Sequence, residues 1–305
     1  MKKRTTRLAR VKHTVLTFDI CSSSDILEDL IRTENTKSWR DLLVRMERFL
    51  VKKSDQFEFD LYKFTGDGWI LLFDYKYSGK EMFDFIKELS HFFHRRMTKL
   101  ADDLLEAPPD VLGLTFGIDR GTLIRLGMAK NTETEYVGRA INIACRLQGS
   151  IKDRDPRPQY KILMTKNVYQ KIKNDITNYR QKGTDRKLRN INRGIPFSCV
   201  KVWLNTSGGE LKQLLLKNKF RLFFDPRVPG MSKTKIIRFG KEGQVIEGQN
   251  RNENSWRIDR HFLEFLNSKG QVYSRFYYST IDREFYHTND PDTRSVKGQY
   301  MIHEE

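Results

Sequence analysis

Two β-rich runs meet at a Gly-Asp-Gly turn, and this arrangement restricts the fold more than any other segment of the chain. The first run covers residues 57–64, the second begins at Trp69, and Thr65-Gly-Asp-Gly separates them. Aromatic and branched side chains favour strands, and Asp-Gly favours the tight turn of a β-hairpin. The sequence therefore predicts an antiparallel sheet that includes this hairpin.

Strand and helix patterns alternate on both sides of the hairpin. Residues 14–20 form an apolar run that predicts a buried strand, and Ser24 or Asp25 is placed to cap a following helix. The other predicted elements are helices over 36–52 and 82–93, a second hairpin over 112–126 that turns at Arg120-Gly, a helix from about Gly138, a strand over 161–165, a helix over 166–173 and a strand over 199–204. This order predicts an α+β domain of ferredoxin-like or palm type, with helices covering a mainly antiparallel sheet.

The length of 305 residues is typical of about two domains at roughly 150 residues each. A basic tail over 1–12 precedes a predicted catalytic domain over 13–204. Asn205-Thr-Ser-Gly-Gly is the best linker in the chain, so a linker is expected over 205–210. Residues 211–305 are predicted to form a β-rich domain, with a hairpin across Asn267-Ser-Lys-Gly.

The chain is strongly basic, with 56 Lys and Arg against 39 Asp and Glu and a net charge of +17. Such a charge is compatible with nucleic acid, an acidic membrane surface or a site for polyanionic nucleotides, and also with solvated basic faces. The sequence contains no recognised DNA- or RNA-binding motif. A nucleic-acid binder therefore remains the minor alternative, and no DNA partner is predicted.

The cysteine content and the hydrophobic runs of the sequence indicate in which cellular compartment the protein is expected. Cys21, Cys145 and Cys199 are too few and too scattered for a disulfide framework, and no C-x-x-C pair is present for a zinc finger. No run approaches the roughly 20 apolar residues of a membrane-spanning helix, and the basic start lacks the apolar stretch of a signal peptide. These features predict a protein of the reducing cytoplasm.

Two carboxylates have the positions needed for phosphate chemistry. Asp19 ends the first predicted strand and Asp67 lies in the hairpin turn, so a sheet could bring them together. Two such groups would hold hard cations such as Mg²⁺, and backbone N–H groups at Ser22 and Ser23 could receive an anion at a helix start. Asp-Gly is also a common turn, and Asp19 could be a simple helix-proximal cap.

Four segments, in order, resemble the class III nucleotidyl cyclases. They are Phe18-Asp-Ile followed by Ser22-Ser, Lys63-Phe-Thr-Gly-Asp-Gly, Phe116-Gly-Ile-Asp-Arg-Gly, and Glu135-Tyr-Val-Gly-Arg-Ala-Ile-Asn-Ile-Ala-Cys-Arg-Leu. The resemblance covers about 13–147 and continues more weakly to Leu204. It implies a nucleotidyl cyclase that converts a nucleoside triphosphate to a 3′,5′-cyclic nucleotide and pyrophosphate.

The resemblance also implies roles for individual residues. Asp19, Asp67 and the backbone carbonyl of Ile20 would bind two Mg²⁺ or Mn²⁺ ions, and Ser22 and Ser23 would contact phosphate. Asn142 would orient the ribose, and Arg146 would stabilise charge on the α-phosphate; their i, i+4 spacing places both on one helical face. The further phosphate-binding Lys of the family has no clear match, and Arg193 is the candidate, with Arg120 weaker.

In this family, each site combines metal carboxylates from one subunit with the Asn and Arg of another, so a homodimer is implied. Lys63 and Glu135 occupy the base-reading positions but fit neither the adenylate nor the guanylate pairing, and Tyr62 adds bulk nearby. The chain is most similar to the pyrimidine cyclases of bacterial Pycsar antiphage systems, whose cyclic CMP or cyclic UMP activates a separate effector. Glu135 could accept a proton from the cytosine 4-amino group, which favours CTP.

An adenylate cyclase and a catalytically silent nucleotide-binding regulator remain alternatives. The C-terminal module resembles sensor-like domains appended to some enzymes that make nucleotide second messengers. Its aromatic residues could line a ligand surface or, as we prefer, pack a β core. They are Trp256, Phe262, Phe265, Tyr273, Phe276 and Tyr277.

Overall fold

The computed structural model describes residues 9–109, 111–126, 134–154, 159–205, 211–225, 233–259 and 262–304. Its contacts divide the chain into two compact units. The first unit extends to Ile176 and resumes over Gln181–Val202, and the second contains Thr177–Arg180 and the chain from Trp203 onward. Each unit is described by itself.

The first unit is built on one mixed sheet with covering helices. Its elements are β1 (Arg10–Ile20), α1 (Ser23–Arg32), α2 (Thr36–Ser54), β2 (Phe59–Phe64), β3 (Gly68–Asp74), α3 (Gly79–Leu104), β4 (Leu114–Leu126), β5 (Glu135–Val137), α4 (Arg139–Arg154), β6 (Lys161–Thr165), α5 (Lys166–Ile172), β7 (Arg180–Arg186) and β8 (Phe197–Trp203). The strand order is β2-β3-β1-β4-β6-β8-β7, and β5 pairs with β4.

The first four strands form the predicted ferredoxin-like arrangement. Two helices connect β1 to β2, a tight turn connects β2 to β3, and α3 connects β3 to β4. Every neighbouring pair in β2-β3-β1-β4 is antiparallel, whereas β4 and β6 are parallel. The expected α+β fold class is therefore confirmed.

The predicted second hairpin is wrong, because residues 114–126 form the single strand β4. The 11 residues of β1 pair with β4 without interruption, from Arg10 opposite Ile124 to Ile20 opposite Leu114. Arg120-Gly is a weak turn signal, and this long partner strand keeps it extended. Strand β1 also begins at Arg10, so the last three residues assigned to the basic tail belong to the sheet.

Burial on both faces of β1 explains why its sequence is continuously apolar. Phe18 packs against Trp69 and Phe116 on one face, with ring centroids 5.5 Å and 6.0 Å away. Val15 packs on the other face, in a cluster with Leu123 and residues of α4. The strand that carries Asp19 is therefore buried on both faces, and α4 covers one of them.

The position of α4 depends on a close approach to β4. A Cβ atom placed on Gly117 would lie 2.0 Å from the carbonyl oxygen of Ala144. Only glycine allows the helix backbone this near the strand. The helix that carries Asn142 and Arg146 is thereby fixed directly against the central sheet.

The second unit contains one antiparallel sheet and a short helix. Its elements are α6 (Leu211–Lys217), β9 (Lys219–Phe223), β10 (Thr234–Phe239), β11 (Val245–Glu247), β12 (Ser255–Asp259), β13 (Phe262–Leu266), β14 (Val272–Tyr278), β15 (Phe285–His287) and β16 (Tyr300–Glu304). The strand order is β11-β10-β9-β16-β15-β14-β13-β12, and β13 and β14 form the hairpin at residues 267–270.

The aromatic residues of this unit fall into two groups. Trp256, Phe265 and Phe276 are buried in one apolar cluster, as core packing predicts. Phe262, Tyr273 and Tyr277 are half-buried. Across both units, none of the helices in the described ranges is long and apolar enough to cross a membrane.

Candidate active site

The structure brings the two predicted metal-binding carboxylates to one edge of the sheet. Asp19 lies opposite Gly68 in the antiparallel pairing of β1 with β3, and Asp67 directly precedes Gly68. The backbone N–H of Ile20 donates a hydrogen bond of 3.2 Å to the carbonyl oxygen of Asp67. Both aspartates are half-buried, so each is held in place and still borders solvent.

The approach of the hairpin to β1 requires glycine at position 68. A Cβ atom there would lie 2.0 Å from the carbonyl oxygen of Phe18 and 3.0 Å from Cα of Asp19. Gly66, on the other side of Asp67 in the turn, has φ of +103°, which residues with side chains rarely adopt. The Gly-Asp-Gly sequence thus serves both the turn and the spacing of the two carboxylates.

We expect Gly68→Ala to destabilise the protein by about 2–3 kcal/mol, because the methyl group must push the hairpin away from Asp19. Gly149→Ala is the matched control, since a Cβ on Gly149 within α4 meets nothing within 4 Å. The control should be neutral or stabilise by up to about 1 kcal/mol. Urea unfolding of both variants checks the prediction, and equal stabilities would contradict it.

The start of α1 lies beside the two carboxylates. Ser22 is the N-cap residue and has φ of 54°, and the hydroxyl of Ser23 donates a hydrogen bond to the carboxylate of Asp67. The first N–H groups of any helix lack intrahelical partners and carry partial positive charge. The predicted phosphate-binding serines are therefore next to the predicted metal ligands.

The donor set suits a hard divalent cation but is incomplete by itself. Asp19 and Asp67 supply carboxylate oxygens, and the backbone carbonyl of Ile20 is the third predicted ligand. Within the described ranges, no group of three or more His, Cys, Asp or Glu side chains is arranged to hold a metal. Mg²⁺ characteristically uses one or two protein carboxylates and takes its other ligands from water and substrate phosphate, so these residues fit that ion.

Gln148 is a site residue that the sequence analysis did not find. This buried side chain of α4 donates from Nε2 to Oδ2 of Asp19 at 3.3 Å and to the hydroxyl of Thr115 at 2.8 Å. It orients one of the two carboxylates. Its only sequence signal is its position two residues after Arg146.

Asn142 and Arg146 are both exposed on α4. Successive residues of a helix turn by 100°, so Arg146 and Gln148 point about 160° apart around the axis. Gln148 faces Asp19, and the predicted catalytic pair therefore faces away from the carboxylates of its own chain. The structure brings the two predicted metal-binding carboxylates together but leaves Asn142 and Arg146 on an outer surface.

The predicted base-reading residues form one cluster. Nζ of Lys63 lies 3.5 Å from Oε1 of Glu135, and the hydroxyl of Tyr62 donates to Oε2 of Glu135 at 2.8 Å. Strand alternation would point Tyr62 and Lys63 to opposite faces. The pairing of β2 with β3 shifts register between Leu61 and Lys63, and this bulge lets consecutive residues meet the same carboxylate.

Tyr62 is also fixed by the backbone of Tyr136. Its hydroxyl oxygen accepts from the Tyr136 N–H and lies equally close to the Tyr136 carbonyl oxygen, both at 3.0 Å. The hydrogen bond from Tyr62 lowers the pKa of Glu135, and the charge of Lys63 lowers it further. Glu135 is consequently an ionised acceptor at neutral pH. Burial raises the pKa of Tyr62, which stays a neutral donor.

The two candidates for the missing phosphate-binding Lys occupy different places. Arg193 is exposed in a short 3₁₀ turn over Asn192–Gly194, with φ of 52°. Arg120 pairs in register with Thr14, whereas Asp19 pairs with Thr115. Five residues of strand, roughly 17 Å, therefore separate Arg120 from Asp19 along the sheet, and the structure does not bring it to the site.

No protein-family model and no curated protein matches the chain. Among solved structures, the adenylyl cyclase CyaB from P. aeruginosa has a TM-score of 0.48 at 19% identity, over 64% of this chain and 95% of that one. The guanylyl cyclase Cya2 has a TM-score of 0.49 at 16% identity, over 67% and 95%. An adenylate cyclase from Trypanosoma brucei has a TM-score of 0.45 at 16% identity, over 63% and 87%. All three scores lie below 0.5, so function is inferred from the chain's own site residues.

Proposed function

We propose that this protein is a class III nucleotidyl cyclase, which converts a nucleoside triphosphate to a 3′,5′-cyclic nucleotide and pyrophosphate. The observation that carries the proposal is the pairing of Asp19 with the Asp67 hairpin beside the start of α1. A carboxylate pair for divalent ions and a helix N-terminus for phosphate meet there, as two-metal phosphoryl chemistry requires.

The reaction is an attack of the ribose 3′-oxygen on the α-phosphorus, with pyrophosphate as the leaving group. Two Mg²⁺ or Mn²⁺ ions, when bound, would activate the 3′-hydroxyl and neutralise the leaving group. Asp19, Asp67 and the carbonyl of Ile20 would hold them, while Ser22 and the start of α1 would bind phosphate oxygens. Gln148 keeps the Asp19 carboxylate oriented.

Arg146 and Asn142 would complete the site from a second copy of the chain. Arg146 would stabilise the charge that develops on the α-phosphate, and Asn142 would orient the ribose. Both residues are exposed on the face of α4 that points away from their own Asp19. In a homodimer with two shared sites, each site would combine the carboxylates of one chain with the Asn142 and Arg146 of the other. A monomer would hold both sets of residues without bringing them together.

Exposed apolar side chains support this dimer. Phe64 follows Lys63 on β2, Val137 ends β5, and Leu126 pairs in register with Glu135. All three are exposed although they are large and hydrophobic. Their grouping around the base-reading cluster is typical of a surface that a partner subunit covers.

We further propose a pyrimidine substrate, with CTP favoured over UTP, and a role in antiphage defence in which the cyclic product activates a separate effector. Glu135 is held ionised by Tyr62 and Lys63, so it can accept a hydrogen bond from the cytosine 4-amino group. Uracil presents a carbonyl at that position, which a carboxylate repels. Adenine also carries an amino group, so an adenylate cyclase is the alternative; a silent regulator is disfavoured because all four catalytic residues are present.

Replacement of Glu135 should change base preference more than phosphate chemistry. We expect Glu135→Ala to reduce the CTP to UTP ratio of kcat/KM by about tenfold, the value of one lost charge-assisted hydrogen bond. Glu247→Ala, on strand β11 of the other unit, is the control and should keep the ratio. An unchanged preference in Glu135→Ala would rule out this assignment.

The direct test is incubation of the purified protein with ATP, GTP, CTP and UTP, each with Mn²⁺, followed by product identification by mass. Cyclic CMP as the main product would support the full proposal. Cyclic AMP would support the cyclase but exclude the pyrimidine assignment. No cyclic product from any of the four would refute catalysis under these conditions and favour a silent nucleotide-binding regulator.

A further inference from the structure

A cleft of about 930 Å³ lies in the first unit, at the end of the central strands opposite to Asp19. Its walls come from β1, β4, α5 and the segment of residues 74–79 that joins β3 to α3. The volume is large enough for a molecule of nucleotide size. None of the proposed metal, ribose or base-reading residues lines it.

Cationic side chains from four separate elements converge on this cleft. They are Lys12 of β1, Lys76 after β3, Arg120 of β4 and Lys171 of α5. Among the described residues, none of these four forms an ion pair. The four residues are far apart in the sequence, so the fold, and not a local basic run, brings them together.

Two carboxylates also line the cleft and only partly offset this charge. Oδ1 of Asp74 accepts from the backbone N–H of Lys76 at 2.7 Å. Asp175 follows α5 and lies beside the first residue of α3, since its Oδ2 is 2.8 Å from the position that a Cβ on Gly79 would take. Four cationic side chains therefore face two carboxylates, and the lining of the cleft has a net positive charge.

Tyr75 holds two of the cations close together. The guanidinium of Arg120 lies 3.7 Å from the centre of the Tyr75 ring and donates to the Tyr75 backbone carbonyl. Nζ of Lys12 lies 5.4 Å from the same ring centre. The ring attracts each cation, but the two like charges repel one another. An anion between them would relieve that repulsion.

We propose that this cleft binds a small phosphate-bearing metabolite at a site separate from the proposed active site. Arg and Lys together are the side chains that bind phosphate, through forked hydrogen bonds and point charge respectively. The cleft is much larger than a phosphate ion, so it has room for an organic portion beside Tyr75. The inference does not require the protein to be a cyclase.

Calorimetric titration of the full chain in EDTA, with pyrophosphate and with cytidine 5′-monophosphate, tests the site. Either probe should bind, and Lys171→Ala and Lys76→Ala should each weaken binding about tenfold, the loss of one charged contact. Both lysines are exposed, so these variants should fold. Tighter binding of the nucleotide than of pyrophosphate would show that the organic portion is held too.

Two control variants separate this site from other anion binding. Lys166→Ala removes an exposed lysine of the same helix, α5, that does not line the cleft, and binding should be unchanged. Arg146→Ala removes the predicted catalytic arginine, which does not line the cleft, and should leave the cleft-dependent part of the binding, the part that Lys171→Ala weakens, unchanged. Absence of binding by both probes, an equal loss in Lys166→Ala, or a loss confined to Arg146→Ala would overturn the proposal.

Discussion

Asp67→Ala should reduce the rate of cyclisation by about a thousandfold or more, because metal ions supply several kcal/mol of transition-state stabilisation. Asp67 is the carboxylate of the hairpin turn, and its backbone is already fixed by the hydrogen bond from Ile20. The substitution therefore removes ligand oxygens while the turn stays in place. The rate of product formation with saturating Mn²⁺ and each nucleotide measures the effect.

Asp60→Ala is the matched control, because Asp60 is an exposed carboxylate on β2 of the same hairpin. Its activity should stay within about twofold of the wild type, as expected for a surface substitution. Thermal unfolding of both variants shows whether the hairpin persists. Near-normal turnover by a folded Asp67→Ala protein would refute the metal assignment.

Mixing two inactive variants should restore activity if the sites are shared. An Asp19→Ala chain retains Arg146, and an Arg146→Ala chain retains both carboxylates, so one of the two sites in each mixed dimer is complete. Random reassociation makes half of the dimers mixed, and the expected recovery is about a quarter of wild-type activity. Each variant alone should be nearly inactive.

The mixing experiment requires subunit exchange, which a brief dilution below the dimer dissociation constant or co-expression provides. A chain that carries both substitutions is the control, because its mixed dimer with wild type has no intact site when the sites are shared and one intact site when each site lies within a single chain. No recovery, in a mixture whose dimers have exchanged, would show that each site is built from a single chain.

Local patterns determined how much of the fold could be predicted. The β1 strand, the Gly-Asp-Gly hairpin and the amphipathic helices follow from residue spacing and turn chemistry over a few positions. The same local rules predicted a turn at Arg120-Gly, where pairing with β1 instead keeps β4 extended. Strand β7 was missed because Arg180–Arg186 is polar and charged, as suits a strand at the sheet edge.

The site was predictable to a similar degree. Asp19 and Asp67 were expected to meet because a strand end and its neighbouring hairpin share one edge of the sheet. The contact of Gln148 with Asp19 links positions 129 residues apart, and no local pattern reports it. The position of Tyr62 depends on a β-bulge, which changes the direction of a side chain without leaving a clear sequence signal.

Helix α4 touches Asp19 through Gln148 on one face and presents Asn142 and Arg146 on the other. In a dimer with shared sites, helix α4 would thus contribute residues to both reaction centres. If substrate binding at one centre rotated α4 slightly, Gln148 would shift and reorient the Asp19 carboxylate of the other centre. The two centres of such an enzyme would then communicate directly, and plots of rate against substrate concentration would depart from a simple hyperbola.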